Sequence, residues 1–345
     1  MGLTPTFRVS ANQADITAAI LDRFVSLTLT DETGITSDML EITLSDHDPA
    51  LPIQRPPKGA ELELFLGYDG QAERMGLFVC DEIEYSGWPG EMIIRARGAI
   101  FDKTPKGKAN LQSHKTRSWP ADTTLGAMVE KIAKEHGMQA AVSSSLTSIK
   151  LPHTDQSDES DLNLLVRLGK KYDAIVKPAD GKLVLAKRGE SKSVSGKSLS
   201  SIAVTPASDI TKFSVVESAK ESSGTVVAYY HKTKQAKRHS VSVGTGEPTT
   251  RLKMYFPTQD QATKAAQAEA AKRDRQKSTL SLTLPGRTDM AAECPLTTAG
   301  FRDGVDGSWI ITRVTHRLTK SGGYVCDVEA ETPNKGGASV SDDEE

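Results

Sequence analysis

From Phe24 to Ala99 the apolar residues of this chain recur at every second position. Val25, Leu27 and Leu29 alternate with Ser26, Thr28 and Thr30, Leu40, Ile42 and Leu44 alternate with Glu41 and Thr43, and Leu62, Leu64 and Leu66 follow beside Glu61 and Glu63. A period of two places one set of side chains on one face of an extended chain, so this stretch buries its apolar surface as half-covered β-strands. Gly67, Asp69-Gly70 and Ser86 to Gly90 supply turns, and short strands at this spacing predict a small sandwich or barrel. The same period returns from Ile202 to Thr332, broken by one helix. Thr258 to Gln261 fits a capping box after Pro257, and the alanine-rich run that follows predicts a helix over 258–277 lying close against a sheet.

Between these two stretches the period changes. Leu125, Met128, Val129, Ile132 and Ala133 fall on one helical face, opened by Asp122 to Thr124 and closed by Gly137. A second helix is predicted where Asp158, Glu159 and Asp161 precede an apolar stripe of Leu162, Leu165, Val166 and Leu168, because carboxylates are favoured at the free N–H groups of a helix start. Lys170 and Lys171 sit at its other end. Ala174 to Val176, the turn at Asp180-Gly181 and Leu183 to Leu185 then read as a hairpin. The connectors Thr104–Asn110 and Glu190–Ser201 are polar, and the second has a linker's composition.

One internal similarity links the two β-stretches. Gly76 to Ile83 with Met92 to Gly98 forms one two-strand unit, and Gly307 to Val314 with Tyr324 to Ala330 forms another. Each opens on glycine, places an aromatic residue two positions on and an aliphatic one seven on, and returns through a glycine turn. In the second unit Ile310, Val314, Leu318, Tyr324, Cys326 and Val328 share a parity and define one buried face. The residues alone therefore give a mainly β fold: two barrels of one kind flanking a small α+β middle region.

A chain of 345 residues has room for two or three domains. Its formal net charge of −2 provides no overall basic field for nucleic acid or an anionic membrane. No run approaches the roughly 18 apolar residues of a membrane span, and the first residues lack the charged and apolar segments of a signal peptide. Three widely separated cysteines, Cys80, Cys294 and Cys326, indicate a reducing cytosol and no disulfide framework. Any role outside the cell then requires lysis or assembly into a particle.

Motifs that would carry chemistry are fragmentary. Gly196-Lys197-Ser198 lacks the upstream glycine of a phosphate loop, with Ser191 in its place, and reads as solvated linker. Gly244-Thr245-Gly246 lacks the third glycine of a dinucleotide fingerprint. The seven histidines never adopt the i, i+4 spacing of a helical zinc pair, and Asp46-His47-Asp48 reads as an Asx turn before Pro49. Cys294 has no histidine that sequence can assign to it. Among 45 acidic residues a hydrolase's acid–base pair can always be proposed, which gives that signal no specificity. The basic run Lys232 to His239, beside Tyr229, Tyr230 and His231, reads as an exposed hairpin tip rather than a nucleic-acid surface. The tail after Lys335, ending Ser341 to Glu345, has a disordered composition. Neither catalytic nor metal-binding residues nor a cofactor are assigned, so an assembly component is expected rather than an enzyme.

Gln156-Ser157-Asp158-Glu159-Ser160-Asp161, with Leu165, Arg167-Leu168 and Tyr172-Asp173-Ala174, resembles the central signature of the late control gene D protein family. Gly76 to Glu84, Ile93 to Ala96, Trp119 with Thr124-Leu125, Ile310 to His316 and Tyr324 to Glu331 extend the resemblance in order over nearly the whole chain. Those proteins are the hubs of contractile phage tails and of phage-tail-like bacteriocins. The resemblance implies two tube-like β-barrel domains, residues 1–103 and 201–333, flanking an α+β domain, residues 104–200, with an acidic tail, residues 334–345. It implies a homotrimer that adapts a six-fold tail tube, or its initiator, to a three-fold central spike and is driven through the envelope when the sheath contracts. Baseplate wedge and tape-measure proteins are further expected partners, without sequence-specific nucleic acid or stable membrane insertion. Such a protein is synthesised in the bacterial cytoplasm and released by lysis within its particle. Two other readings stay open: a tail-tip peptidoglycan hydrolase, and a peptidoglycan-binding module in residues 105–200.

Overall fold

The computed structural model describes the chain except residues 1–2, 34–37, 49, 58, 99–110, 112, 180, 192–197, 209, 219–223, 232–237, 334–339 and 345. The first β-stretch holds β1 (Pro5–Ala11), β2 (Ala14–Asp15), helix α1 (Thr17–Leu21), β3 (Phe24–Glu32), β4 (Met39–Ser45), β5 (Glu61–Tyr68), β6 (Gln71–Ser86) and β7 (Glu91–Gly98). The middle holds β8 (His114–Trp119), α2 (Leu125–Glu135), β9 (Gln139–Val142), α3 (Ser144–Thr147), β10 (Thr154–Ser160), α4 (Asp161–Lys171), β11 (Ala174–Ala179) and β12 (Lys182–Lys187). Then come β13 (Ile202–Val204), β14 (Lys212–Glu217), β15 (Thr225–His231), β16 (Arg238–Gly244), β17 (Thr249–Phe256) and helix α5 (Gln259–Gln276). The chain ends with β18 (Ser278–Pro285), β19 (Pro295–Thr298), β20 (Gly307–Thr319), β21 (Gly323–Glu331) and β22 (Val340–Glu344).

The protein is mainly β, and strands of both β-stretches join in one large, mostly antiparallel sheet. Its strand order is β14-β18-β21-β20-β3-β4-β7-β6-β5-β1-β2, with β19 on β20 and β13 on β19. The two β-stretches meet where β20 pairs antiparallel with β3, from Arg313 opposite Glu32 to Thr319 opposite Ser26. Leu27, Leu29, Val314 and Leu318 are all buried there in one apolar core shared by both stretches. Alternation identifies most inward residues, but bulges at Val25 and Thr312 reverse the parity, so that Phe24, Trp309 and Ile311 rather than Val25 and Ile310 lie in the shared core. Alternation also carries no information about which strand edges join, since pairing partners are far apart in sequence.

The middle region has its own core. Leu125, Met128, Val129, Ile132 and Ala133 of α2 are buried as their spacing predicts, and the Thr124 side chain accepts the Ala127 N–H as N-cap. The second helix starts later than expected. Asp158 and Glu159 belong to strand β10, which pairs with β8, and Ser160 is the cap that accepts the Asn163 N–H. Its buried stripe is Leu164, Leu165 and Leu168, while Leu162 and Val166 are half-buried. The predicted hairpin is β11–β12, and β9 adds to it in parallel.

The stretch assigned to a single second barrel contains a distinct unit. Strands β17-β15-β16-β22 form a separate sheet, and α5 packs Ala262, Ala266 and Ala270 against Val226, Ala228, Val241 and Val243. The helix spans nearly the predicted residues, and Thr258 accepts the Gln261 N–H as expected. Residues 340–344, expected as disordered tail, instead pair with β16 from Val340 opposite Val243 to Glu344 opposite His239. An open strand edge is available there, and a strand rich in acidic residues can still use its backbone groups to fill it.

Candidate assembly interface

The similarity between residues 76–98 and 307–330 is a corner of a larger structural repeat. In space and in chain order β3-β4-β7-β6-β5 corresponds to β14-β18-β21-β20-β19. Registers agree residue for residue. Leu27 pairs with Ile42, Ile42 with Ile94 and Ile94 with Ile83; at the matching places Phe213 pairs with Leu282, Leu282 with Val328 and Val328 with Val314. Leu62 opposite Phe78 matches Leu296 opposite Trp309.

Both hairpins also slip register at the same point. The opening glycines adopt strongly positive φ, 152° at Gly76 and 158° at Gly307. Pairing shifts between Cys80 and Glu82 in the first hairpin and between Ile311 and Arg313 in the second, which leaves Asp81 and Thr312, each the fifth residue after its glycine, as the extra residue of a β-bulge. Bulges re-aim a strand, so a shared bulge at a shared offset gives both units the same curvature. The helical unit carrying α5 is an insertion between β14 and β18, and the middle region is an insertion between the repeats.

Buried charge anchors the middle region to this frame. Lys177 of β11 reaches Asp31 at 3.2 Å and Asp38 at 3.1 Å beside β3 and β4. Arg275 of α5, 1% exposed, binds Asp173 through Nη1 and Nη2 at 2.8 and 2.6 Å and Glu331 through Nε at 3.0 Å. Three elements far apart in sequence thus converge on one guanidinium, whose planar fork suits two carboxylates. Nothing in an alanine-rich helix pattern signals that its penultimate arginine is interior. Breaking such a pair costs about 3–5 kcal/mol because a charge is left buried alone, so the orientation of the middle region is stiffly held.

The acidic signature is likewise structural. Asp161 is fully buried and accepts hydrogen bonds from Lys115 Nζ and Arg117 Nη2 at 2.6 Å, and from His136 Nε2 and Gln156 Nε2 at 2.8 Å. Burial pushes its carboxyl up, but the hydrogen bonds from His136, Lys115 and Gln156 and the Arg117 charge together hold it well below the usual carboxylate range. Arg117 also lies 4.5 Å over the Trp119 ring. An ionised carboxylate so fully occupied has no lone pair left for a substrate.

The described fragments set aside in the sequence are engaged in local structural contacts. Asp46 binds Arg23 and the Ile53 N–H, and His47 Nδ1 bonds Ser45. No group of three metal-ligating side chains occurs among the described residues. Burial pushes the Cys294 thiol up, as does the nearby Asp31 charge. Sequence reasoning missed one Cys–His contact: Cys326 Sγ lies 3.2 Å from His316 Nδ1, facing positions across β20–β21. Burial drives that cysteine up to about 11 and that histidine down to about 4, so both stay neutral rather than forming a nucleophilic ion pair. Gly196 and Lys197 lie outside the described residues, as does the hairpin tip 232–237. Tyr230 turns into the core and stacks on His239, whereas Tyr229 and His231 meet Tyr255 on the opposite face.

A family model described as "Phage tail baseplate hub (GPD)" matches residues 104–322. The "Probable baseplate hub protein" of Escherichia phage P2 is 32% identical over 95% of this chain and 93% of its own length. Among solved structures, the 43 kDa tail protein of prophage MuSo2 from Shewanella oneidensis superposes with a TM-score of 0.69 at 12% identity, covering 96% of this chain and 99% of that one. The E. coli c3393 protein superposes with a TM-score of 0.56 at 11% identity over 91% of this chain and 74% of that one. It is described as a type VI secretion component with structural similarity to the bacteriophage T4 tail proteins gp27 and gp5.

Proposed function

The chain belongs to the phage tail baseplate hub (GPD) family, and we propose that it acts as a homotrimeric ring joining a six-fold tail tube to a three-fold central spike. The observation that carries this reading is the repeat. Each chain holds two copies of one five-strand unit in the same order and register, so three chains offer six similar units to a six-fold partner. In the ring each repeat forms one tube-like domain of the wall, and the opposite end, where only three-fold symmetry is present, receives the spike. The role is structural. Tube, hub and spike travel together when the sheath contracts, and the ion-paired middle region serves as a stiff spacer. Wedge and tape-measure proteins contact the same particle.

Electron microscopy of the purified full-length assembly tests this. Averages viewed down the axis are expected to show six similar lobes around a hole, with true three-fold symmetry. A two-fold particle, or a solid one without a hole, would contradict the ring.

A further inference from the structure

The seam inside the chain predicts a second seam that the chain alone leaves unmade. One edge of β20 is used twice. Up to Ile310 it pairs with β19 of its own repeat, and beyond the bulge, from Arg313 to Thr319, it pairs with β3 of the other repeat. The equivalent edge of β6 pairs with β5 only as far as Val79. Beyond its bulge, from Glu82 to Ser86, no strand among the described residues occupies it. The counterpart of β3 is β14, which pairs with β18 on one side and ends the sheet on the other. Each half of the internal seam therefore has a copy with an open edge.

These open edges carry apolar side chains that a lone chain leaves in water. Tyr85 is 54% exposed and Phe213 45% exposed. Their structural counterparts are buried: Tyr85 corresponds to His316 (1%), and Phe213 to Leu27 (0%). Transferring the register at β20–β3, in which His316 faces Leu29 and Leu318 faces Leu27, places Tyr85 opposite Val215 and next to Phe213. A long, exposed, apolar edge is a template for pairing with another chain.

We propose that Glu82–Ser86 of β6 in one copy adds antiparallel to β14 of the next, in the register of the internal seam, with Tyr85 opposite Val215 and Glu84 opposite Val216. The occupant is a second copy of this chain, since only it carries both halves of a seam the fold already makes once. The contact joins unlike edges, so it propagates head to tail and closes a ring when the rotation permits. For the number of copies it rests on the trimeric reading above.

The test is a Tyr85→Cys/Val215→Cys double variant of the full chain, oxidised and run on a non-reducing gel. Directly opposed antiparallel residues lie within disulfide range, and Cys80, Cys294 and Cys326 are buried. Reducible bands at two and three times the chain's mass are expected, with loss of the single-chain band, while either single variant stays uncrosslinked. Native mass of the reduced double variant, compared with wild type, establishes that the substitutions leave folding and assembly intact. An oligomer that forms no interchain link at this pair, but links at a pair shifted by two residues or not at all, overturns the seam and leaves the trimer standing. A chain that stays single at every concentration overturns both.

Discussion

Glu293 shows how individual residues set the conditions under which this fold holds. It is half-buried where β20 meets the middle region, and its Oε2 accepts the Gly189 N–H at 3.1 Å. Burial pushes its carboxyl from 4.5 up to about 7, more than the Gly189 hydrogen bond and the Arg188 charge pull it down. Between these values the folded chain holds a proton that the unfolded chain has released, so stability contributed by this group falls as pH rises from about 4.5 to 7. Glu293→Gln removes the titration. Its stability relative to wild type, from urea melts at several pH values, is expected to be level near pH 4.5 and higher by roughly 1–3 kcal/mol above pH 7. Parallel curves for the two proteins would contradict this. The opposite logic governs Asp161, whose stabilising contribution is present above its ordinary value and is lost only in strong acid, as pH falls through its lowered folded value. Neither role was legible in the sequence. Asp161 reads in the sequence only as a helix-start carboxylate, a position it does hold, and Glu293 carries no signal, because their further roles depend on neighbours such as Lys115 and Gly189 that only the tertiary fold supplies.

At the level of elements, α5 depends on small side chains. Ala262 and Ala266 are fully buried against β15 and β16, and a leucine at 266 has nowhere to go without moving strands. Ala266→Leu is expected to cost about 1–3 kcal/mol in urea denaturation, against a change within roughly 0.5 kcal/mol for Gln267→Leu on the exposed face. Equal effects at the two positions would show that the alanine face is not the packing face. This element was almost fully legible: cap, length and small-residue face followed from Thr258 and the alanine spacing. The helix at Asp161 was legible in kind but not in its start, because Asp158 and Glu159 suit a helix N-terminus as well as the bulged strand they occupy. Strand existence followed from period two, and so did facing except past the bulges at Val25 and Thr312, which exchange the inward roles of Val25 with Phe24 and of Ile310 with Ile311. The β3–β20 junction did not, since alternation is blind to which edges meet.

For the whole molecule, the central claim is that one chain carries two equivalent units and that three chains make six. The internal repeat was partly legible, from glycine and aromatic spacing at 76–98 and 307–330, and the structure extends it to five strands each with matching bulges. Middle region and α5 unit are insertions that obscure the repeat in sequence while leaving its register untouched. Light scattering of the purified full-length chain over a wide concentration range addresses the claim most directly. A native mass of three chains, constant on dilution, is the predicted result. A mass of one or two chains throughout that range would contradict the account.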